Sequence, residues 1–167
     1  MVLEKALFEE AGPVEGVMDT GPVAIAHFDN PARRAASHFL GRALRWQVRC
    51  LIPTSAFLGT YHVLTEYLGV DRVAAYKALA KTLDTRSPAI YQDITIDLAL
   101  DALTYASGYH VESWDGYIIS LAKTFGAPII YTIDRELAKK VKEVEAINPI
   151  PPDLFAEYND WLRKRIK

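Results

Sequence analysis

The sequence predicts a three-layer α/β/α domain with a central, mainly parallel, five-stranded sheet. Two observations lead to this fold class. Five apolar runs of four or five residues have the character of strands buried on both faces, and longer segments with apolar residues at helical spacing separate most of them. A chain of 167 residues has room for about one domain. We therefore expect a helical N-terminal extension over residues 1–12 and one folded domain over residues 13–167.

The first half of the chain predicts two strands and four helices. Asn30 and Pro31 begin the second helix, because asparagine caps helices and proline suits their first turn. A break at Gly69 separates the third helix from the fourth. In chain order these elements are strand 14–18, helices 22–28 and 31–46, strand 48–52, and helices 54–68 and 72–83.

The second half predicts three strands and three helices. Ser113 caps a helix whose apolar residues recur on one face, and Gly126 and Pro128 end that helix. No internal repeat or low-complexity linker interrupts the pattern, which indicates a single domain. In chain order these elements are strand 88–91, helices 93–106 and 114–125, strands 128–132 and 144–147, and helix 152–166.

Composition excludes several classes of protein. The formal net charge is -2, so a nucleic-acid site would have to be local rather than a property of the whole chain. A single cysteine, Cys50, excludes an internal disulfide framework and suits the reducing cytoplasm, where we expect the protein. No apolar run approaches the roughly 18 residues that span a membrane, so we expect no membrane partner. Glutamine, asparagine, methionine and cysteine are scarce, as is often seen in thermophiles.

Four acidic residues occupy the most informative positions. Asp19 and Asp134 each follow an apolar strand, and the carboxyl ends of parallel strands border the ligand crevice of open α/β sheets. Asp115 is in the first turn of helix 114–125, where a carboxylate is electrostatically favourable. Glu66 is late in helix 54–68. Any one of these acids alone is explained as a helix cap.

Together the four acids predict a metal site. Clustered carboxylates repel one another and raise each other's pKa, so a fold that gathers them needs a cation to offset their charge. Oxygen ligands suit hard divalent ions. The predicted cofactor is therefore Mg²⁺ or Mn²⁺.

Three segments of the sequence resemble the PIN-domain ribonucleases, and among them the toxins of VapBC-type toxin–antitoxin pairs. MDTGPVAIA, residues 18–26, resembles the first strand and aspartate of the family. LTEYLG, residues 64–69, resembles its helical glutamate. SWDGYIISLAKTFGAPIIYTIDRELAK, residues 113–139, resembles the block that carries the third and fourth acids. The resemblance covers most of the chain and implies a PIN-like fold.

This resemblance implies metal-dependent cleavage of RNA phosphodiester bonds. The implied metal-binding and catalytic acids are Asp19, Glu66, Asp115 and Asp134. The hydroxyls expected to support them are Thr20, Thr132 and Ser113. The implied partners are the RNA substrate, a small antitoxin protein and a second copy of the chain in a homodimer. The sequence departs from the family pattern at Gly21-Pro22, where a polar and an aliphatic residue are more usual, and at Gly116, which replaces a common alanine.

Basic residues suggest where RNA binds. No acid occurs between residues 30 and 65, and the arginines of this stretch include Arg33, Arg34 and Arg42. Arginine suits phosphate backbones, so we predict that these three residues bind RNA. The alternative is an ordinary solvated helix face.

Other enzyme classes lack support in the sequence. It contains no His-Glu-x-x-His motif of a zinc hydrolase, no glycine-rich phosphate loop and no Gly-x-Ser-x-Gly of a serine hydrolase. A haloacid-dehalogenase-like phosphatase would need a second aspartate at position 21, which is glycine. Two alternatives to a toxin stay open, namely a catalytically weak PIN module that binds RNA or a protein partner, and a housekeeping nuclease of RNA processing.

Overall fold

The structure, a computed structural model, describes residues 12–166. Its strands are β1 (Gly16–Met18), β2 (Cys50–Pro53), β3 (Ile90–Tyr91), β4 (Ile129–Tyr131) and β5 (Glu145–Ile147). Its helices are α1 (Thr20–Ala26), α2 (Arg33–Leu44), α3 (Thr54–His62), α4 (Arg72–Leu83), α5 (Ile96–Tyr109), α6 (Ser113–Phe125), α7 (Arg135–Lys140) and α8 (Pro152–Arg165). A π-helical turn, Val63–Tyr67, continues α3. Residues 1–11 of the predicted N-terminal extension lie outside the described residues.

The five strands form one parallel sheet in the order β3-β2-β1-β4-β5, which confirms the predicted fold class. The central strand, β1, pairs with β4 although the chain forms β2 and β3 between them. The order of the strands therefore reverses beside β1, and in open α/β sheets ligands bind at such a switch point, outside the carboxyl ends of the strands.

Helices cover both faces of the sheet. Successive residues of a strand point to opposite faces, and accordingly the neighbours Val17 and Met18 of β1 belong to two different buried clusters. Met18 packs with residues of α1, α2, α3, α4 and α8. Val17 packs with residues of α5, α6 and α7. The sheet thus lies between two helical layers, as predicted.

Several element ends differ from the sequence-based expectation. The predicted helix 54–68 changes from α to π geometry at residue 63, where the Leu68 amide donates to the Val63 carbonyl at 3.1 Å. Glu112, not Ser113, occupies the N-cap of α6. Asn30 does not cap α2. Helix α7 has no counterpart among the elements that the sequence predicts, because it has six residues and only one of them is buried.

The two glycines that depart from the family pattern fit this packing. A Cβ on Gly116 would overlap the Ala102 carbonyl oxygen, so glycine is what lets α5 and α6 cross closely. A Cβ on Gly21 would lie 2.5 Å from Cγ1 of Ile133, which therefore packs directly against the first turn of α1. Within the described range, no helix has both the length and the apolar character needed to cross a membrane.

Candidate active site

Asp19 is at the carboxyl end of the central strand and at the N-cap of α1. Its backbone amide donates to the Tyr131 carbonyl at 2.9 Å, which extends the pairing of β1 with β4 by one residue. Its carboxylate accepts two hydrogen bonds, from the Thr20 amide to Oδ1 at 2.6 Å and from the Thr132 hydroxyl to Oδ2 at 2.8 Å. Burial raises the pKa of this carboxyl, the two hydrogen bonds lower it, and the nearby charge of Asp134 raises it.

Thr132 connects Asp19 to Asp134. Its side chain is almost fully buried, and its hydroxyl accepts a hydrogen bond from the Asp134 amide at 3.0 Å while it donates to Asp19. Oδ1 of Asp134 in turn accepts from the amides of Glu136 and Leu137, at 2.7 and 3.3 Å. Asp134 is therefore the N-cap of α7. The Thr132 hydroxyl thus contacts both of these acidic residues, and its role in supporting a metal site stays a prediction.

Asp115 completes a group of three acids that influence one another electrostatically. It is half-buried in the first turn of α6. Burial and the negative charges of Asp19, Asp134 and Glu112 raise its pKa to about 6. A raised pKa means that the folded protein disfavours the ionised carboxylate, as expected where acids gather without a counter-ion.

The N-termini of three helices accompany these acids. Asp19 and Asp134 cap α1 and α7, and Asp115 is in the first turn of α6. Backbone N–H groups at a helix N-terminus carry partial positive charge and favour nearby anions. This partial charge partly offsets the repulsion among the acids. The cap hydrogen bonds also hold the carboxylates of Asp19 and Asp134 at the ends of their helices.

A cleft of about 660 Å³ opens over two of these acids, Asp19 and Asp115. Its other lining residues come mainly from α3, the π-helical turn and the start of α6. They are Thr20, Ser55, Leu58, Gly59, His62, Val63, Tyr67, Glu112, Trp114, Tyr117 and Ile118. A second recess of about 390 Å³ contains Asp115 together with Asp134. Asp115 thus borders both spaces.

Glu66 is not among the residues that line either space. Its exposed carboxylate forms an ion pair with Arg72 at 2.8 Å. A π turn contains one residue more than an α turn, and this shifts the following residues by one position around the helix axis. Tyr67 consequently faces the cleft where an uninterrupted α-helix would place Glu66. The metal-binding role of Glu66 stays a prediction.

The acids fit a hydrated divalent cation better than a dehydrated one. Among residues 12–166, no three His, Cys, Asp or Glu side chains form a group that could hold a metal ion by themselves. Magnesium keeps several of its waters and commonly binds through one or two carboxylates. Asp115 with Asp19, or Asp115 with Asp134, would be such a pair if a cation binds here.

Comparison with known proteins decides the family. The model of the PIN domain family matches residues 17–143, well over half of the chain. The chain belongs to the PIN-domain family. The match begins in β1 and ends before β5, so it includes Asp19, Glu66, Asp115 and Asp134. No curated protein matches the sequence.

Two solved structures resemble the fold of this PIN domain. PAE2754 from Pyrobaculum aerophilum is 19% identical with a TM-score of 0.53, over 90% of this chain and 88% of that one. VapC20 of Mycobacterium tuberculosis, described as a Sarcin-Ricin loop cleaving toxin, is 16% identical with a TM-score of 0.56, over 78% of this chain and 99% of that one.

Sequence reasoning missed three residues of the PIN-domain cleft. Gly59 lies against Thr20, since a Cβ added to it would be 3.1 Å from the Thr20 hydroxyl oxygen. His62 lines the cleft with an exposed side chain, and Glu112 adds a fourth carboxylate beside Asp115. The helical phase of α3 gives a signal for both residues, because Gly59 is three residues before His62 and four before Val63, which places all three on one face. Ser113 borders a different, apolar recess with Trp114 and Tyr117.

The predicted RNA-binding arginines are exposed on α2 of this PIN domain. The pKa of Glu15 is lowered by hydrogen bonds from Arg49 and, more weakly, by the charge of Arg42. Arg42 is therefore close to the residue before β1, at the opposite end of that strand from Asp19. The role of Arg33, Arg34 and Arg42 in binding RNA stays a prediction.

Proposed function

We propose that this PIN domain is a metal-dependent endoribonuclease that hydrolyses RNA phosphodiester bonds. The observation that carries the proposal is the convergence of Asp19, Asp115 and Asp134 at the switch point of the sheet, with a cleft open above two of them. Nuclease activity is general in the family, which supports the assignment. Mg²⁺ or Mn²⁺ is the proposed cofactor.

Residues of this chain hold the acidic side chains in position and supply the negative charge that a cation binds. The hydroxyl of Thr132 and the amide of Thr20 hold the Asp19 carboxylate in one orientation. The cap interactions of Asp134 fix a second carboxylate on the start of α7. When bound, a divalent cation offsets the charge of the phosphate and lowers the pKa of a bound water. A negatively charged phosphate would otherwise be repelled from this cleft, so the acids and the cation are required together.

Cleavage of a single-stranded RNA by the purified full chain tests this function. We expect cleavage with Mg²⁺ or Mn²⁺ and none with a chelator. Asp19→Asn and Asp134→Asn should each lower the rate at least about a hundredfold, while circular dichroism stays like that of the wild type. Equal rates with and without the chelator would contradict the proposal.

A VapC-like toxin is the biological role that we propose for this activity. The similarity of the fold to VapC20 supports it. The proposed partners are RNA, a small antitoxin and a second copy of the chain. Growth arrest on expression, relieved by co-expression of a small protein from an adjacent reading frame, would test the toxin role separately from cleavage.

One observation favours a second candidate, a PIN module that binds RNA or protein with little catalysis. Glu66 is exposed and paired with Arg72, so the described structure brings together three of the four predicted acids. RNA binding without cleavage under any divalent metal would establish this alternative. A housekeeping nuclease of RNA processing would instead cleave RNA without arresting growth.

A further inference from the structure

Two exposed aromatic rings line the same cleft as the acids. Trp114 is 60% exposed and directly precedes Asp115 in the first turn of α6. Tyr67 is 66% exposed at the end of the π-helical turn, on the wall formed by α3 and that turn. Large aromatic side chains are normally covered in a folded protein, because burying them is favourable. Two of them uncovered around one cleft indicate a surface that something else covers.

The ring of Tyr67 is held in place by its neighbours. The His62 ring, which also lines the cleft, contacts it edge to face, with the ring centroids 5.4 Å apart and the planes at 84°. The position of Trp114 relative to Asp115 is set by α6, since the two residues are consecutive in one helical turn. Helical backbone therefore holds both residues beside the acids, and the Tyr67 ring has a further contact with His62.

We infer that Trp114 and Tyr67 form a stacking surface for an unpaired base of the RNA, next to the phosphate that is cleaved. The inference rests on the proposed function and adds the residues that position the substrate. Aromatic rings bind single-stranded nucleic acids by stacking on bases, and this contact tolerates any base because every base has a π face. The expected substrate therefore has an unpaired nucleotide at the cleaved bond.

The chemistry of the cleft favours a nucleotide over an apolar peptide. Asp19, Asp115 and Glu112 line the cleft together with the rings. An apolar side chain packed there would remove water from carboxylates without replacing their hydrogen bonds, which is costly. A nucleotide instead provides a flat base for the rings and a phosphate that binds the acids through the cation. His62 and Ser55 add polar groups within reach of a base or sugar.

Binding of a short RNA to the full chain, with a single base replaced or removed, tests this inference. With Ca²⁺ in place of Mg²⁺, removal of the base next to the cleaved bond should weaken binding to the wild type about tenfold or more. Trp114→Ala and Tyr67→Ala should show a similar loss and should no longer distinguish the abasic RNA. Trp114→Phe should retain part of the affinity. A 2-aminopurine at the same position should be quenched by the wild type and not by Trp114→Ala.

Tyr76→Ala is the matched control, since Tyr76 is 63% exposed on α4 and is not among the residues lining the cleft. We expect its RNA binding to equal that of the wild type. If the wild-type protein cleaves RNA but removal of single bases from the RNA does not weaken binding, the inference is overturned and the proposed function is left intact. If Trp114→Ala and Tyr67→Ala change only the oligomeric state, the inference is also overturned, because the rings then contact protein. A wild-type protein that neither binds nor cleaves RNA would overturn both, before any variant is measured.

Discussion

At the scale of single residues, the site depends on one buried hydroxyl. Thr132 donates to Asp19 and accepts from the Asp134 amide, so it sets the relative position of two carboxylates that come from different strands. Replacement by valine keeps the shape and removes both hydrogen bonds. The loss of a buried hydrogen-bond partner costs about 1–3 kcal/mol. We expect Thr132→Val to cleave RNA more slowly than the wild type, because the Asp19 carboxylate is no longer held in position.

Asp115→Asn should abolish metal-dependent cleavage and stabilise the metal-free protein at pH 7. The pKa of Asp115 is raised to about 6 in the folded state, from 3.8 for the ordinary group. The folded state therefore binds this proton more tightly, and the stability that the protonated group contributes is lost as the pH rises through 6. Because Asp115 is half-exposed, solvent screening reduces the gain from the substitution to about 1 kcal/mol. Urea denaturation at several pH values measures it.

The same experiment contains its own control. Below both pKa values, near pH 3, the wild-type carboxyl is neutral in the folded and the unfolded state, so the charge-dependent difference in stability between wild type and Asp115→Asn should shrink as the pH falls from 7 and disappear there. A difference that stays constant from pH 3 to pH 7 would show that the substitution acts through packing rather than charge.

Glu66→Gln should have a small effect on cleavage, less than about tenfold. The carboxylate pairs with Arg72 outside the cleft, and an exposed ion pair of this kind contributes at most about 1 kcal/mol to stability. The cleavage rates of Glu66→Gln, Asp115→Asn and the wild type, measured under the same conditions, provide the comparison. A loss as large as that of Asp115→Asn would mean that Glu66 leaves Arg72 and joins the metal site during the reaction.

At the scale of elements, local signals predicted most of the helices. Helix α4 has the predicted bounds because Asp71 caps it, accepting hydrogen bonds from the amides of Val73 and Ala74. The π turn after α3 was not predictable, since apolar periodicity assumes a uniform helix. Glu66 is expected among the acids because LTEYLG resembles the helical glutamate of the family, and that expectation takes no account of a π turn, whereas the positions of Asp19, Asp115 and Asp134 depend on where strands end and helices begin.

Gly116→Ala should destabilise the protein by about 1–3 kcal/mol, the usual cost of forcing extra atoms into a packed core. The new methyl group would overlap the backbone carbonyl of Ala102, which cannot move without shifting α5. Thermal denaturation measures the effect. Because Asp115 precedes this residue, we also expect slower cleavage.

Gly108→Ala is the matched control on α5. No heavy atom lies within 4 Å of its added Cβ, so only helix propensity changes, and the variant should gain about 0.5–1 kcal/mol. A loss of stability in both variants would mean that helix propensity and packing do not explain the choice of glycine at position 116.

At the scale of the whole molecule, α5 has an apolar face that suits the proposed homodimer. Ile96, Leu100 and Leu103 recur at helical spacing and are 81%, 58% and 59% exposed. The double variant Leu100→Lys, Leu103→Lys should elute as a monomer, because charge in an apolar interface is costly. Val73→Lys, at a similarly exposed position of α4, should elute like the wild type. Identical elution of all three proteins would exclude α5 as the interface.

The predicted RNA-binding arginines also belong to this scale, because they are not among the residues that line either space beside the acids. Neutralising Arg33, Arg34 and Arg42 together should reduce the salt dependence of RNA binding by about 0.7 in log–log slope per lost phosphate contact. A control variant neutralises three exposed basic residues of α4 and the turn after it: Lys77, Lys81 and Arg86. Equal slopes for the two variants would leave α2 an ordinary solvated face.

The π-helical turn has a consequence for the evolution of such sites. A relative of the same length whose chain continued as a regular α-helix through positions 63–67 would turn its glutamate toward the cleft in place of the tyrosine. A carboxylate and an aromatic ring on this wall would then be exchanged by a change of helical geometry, with no substitution and no change of length. Sequence alignment of two such proteins would equate residues that have different roles.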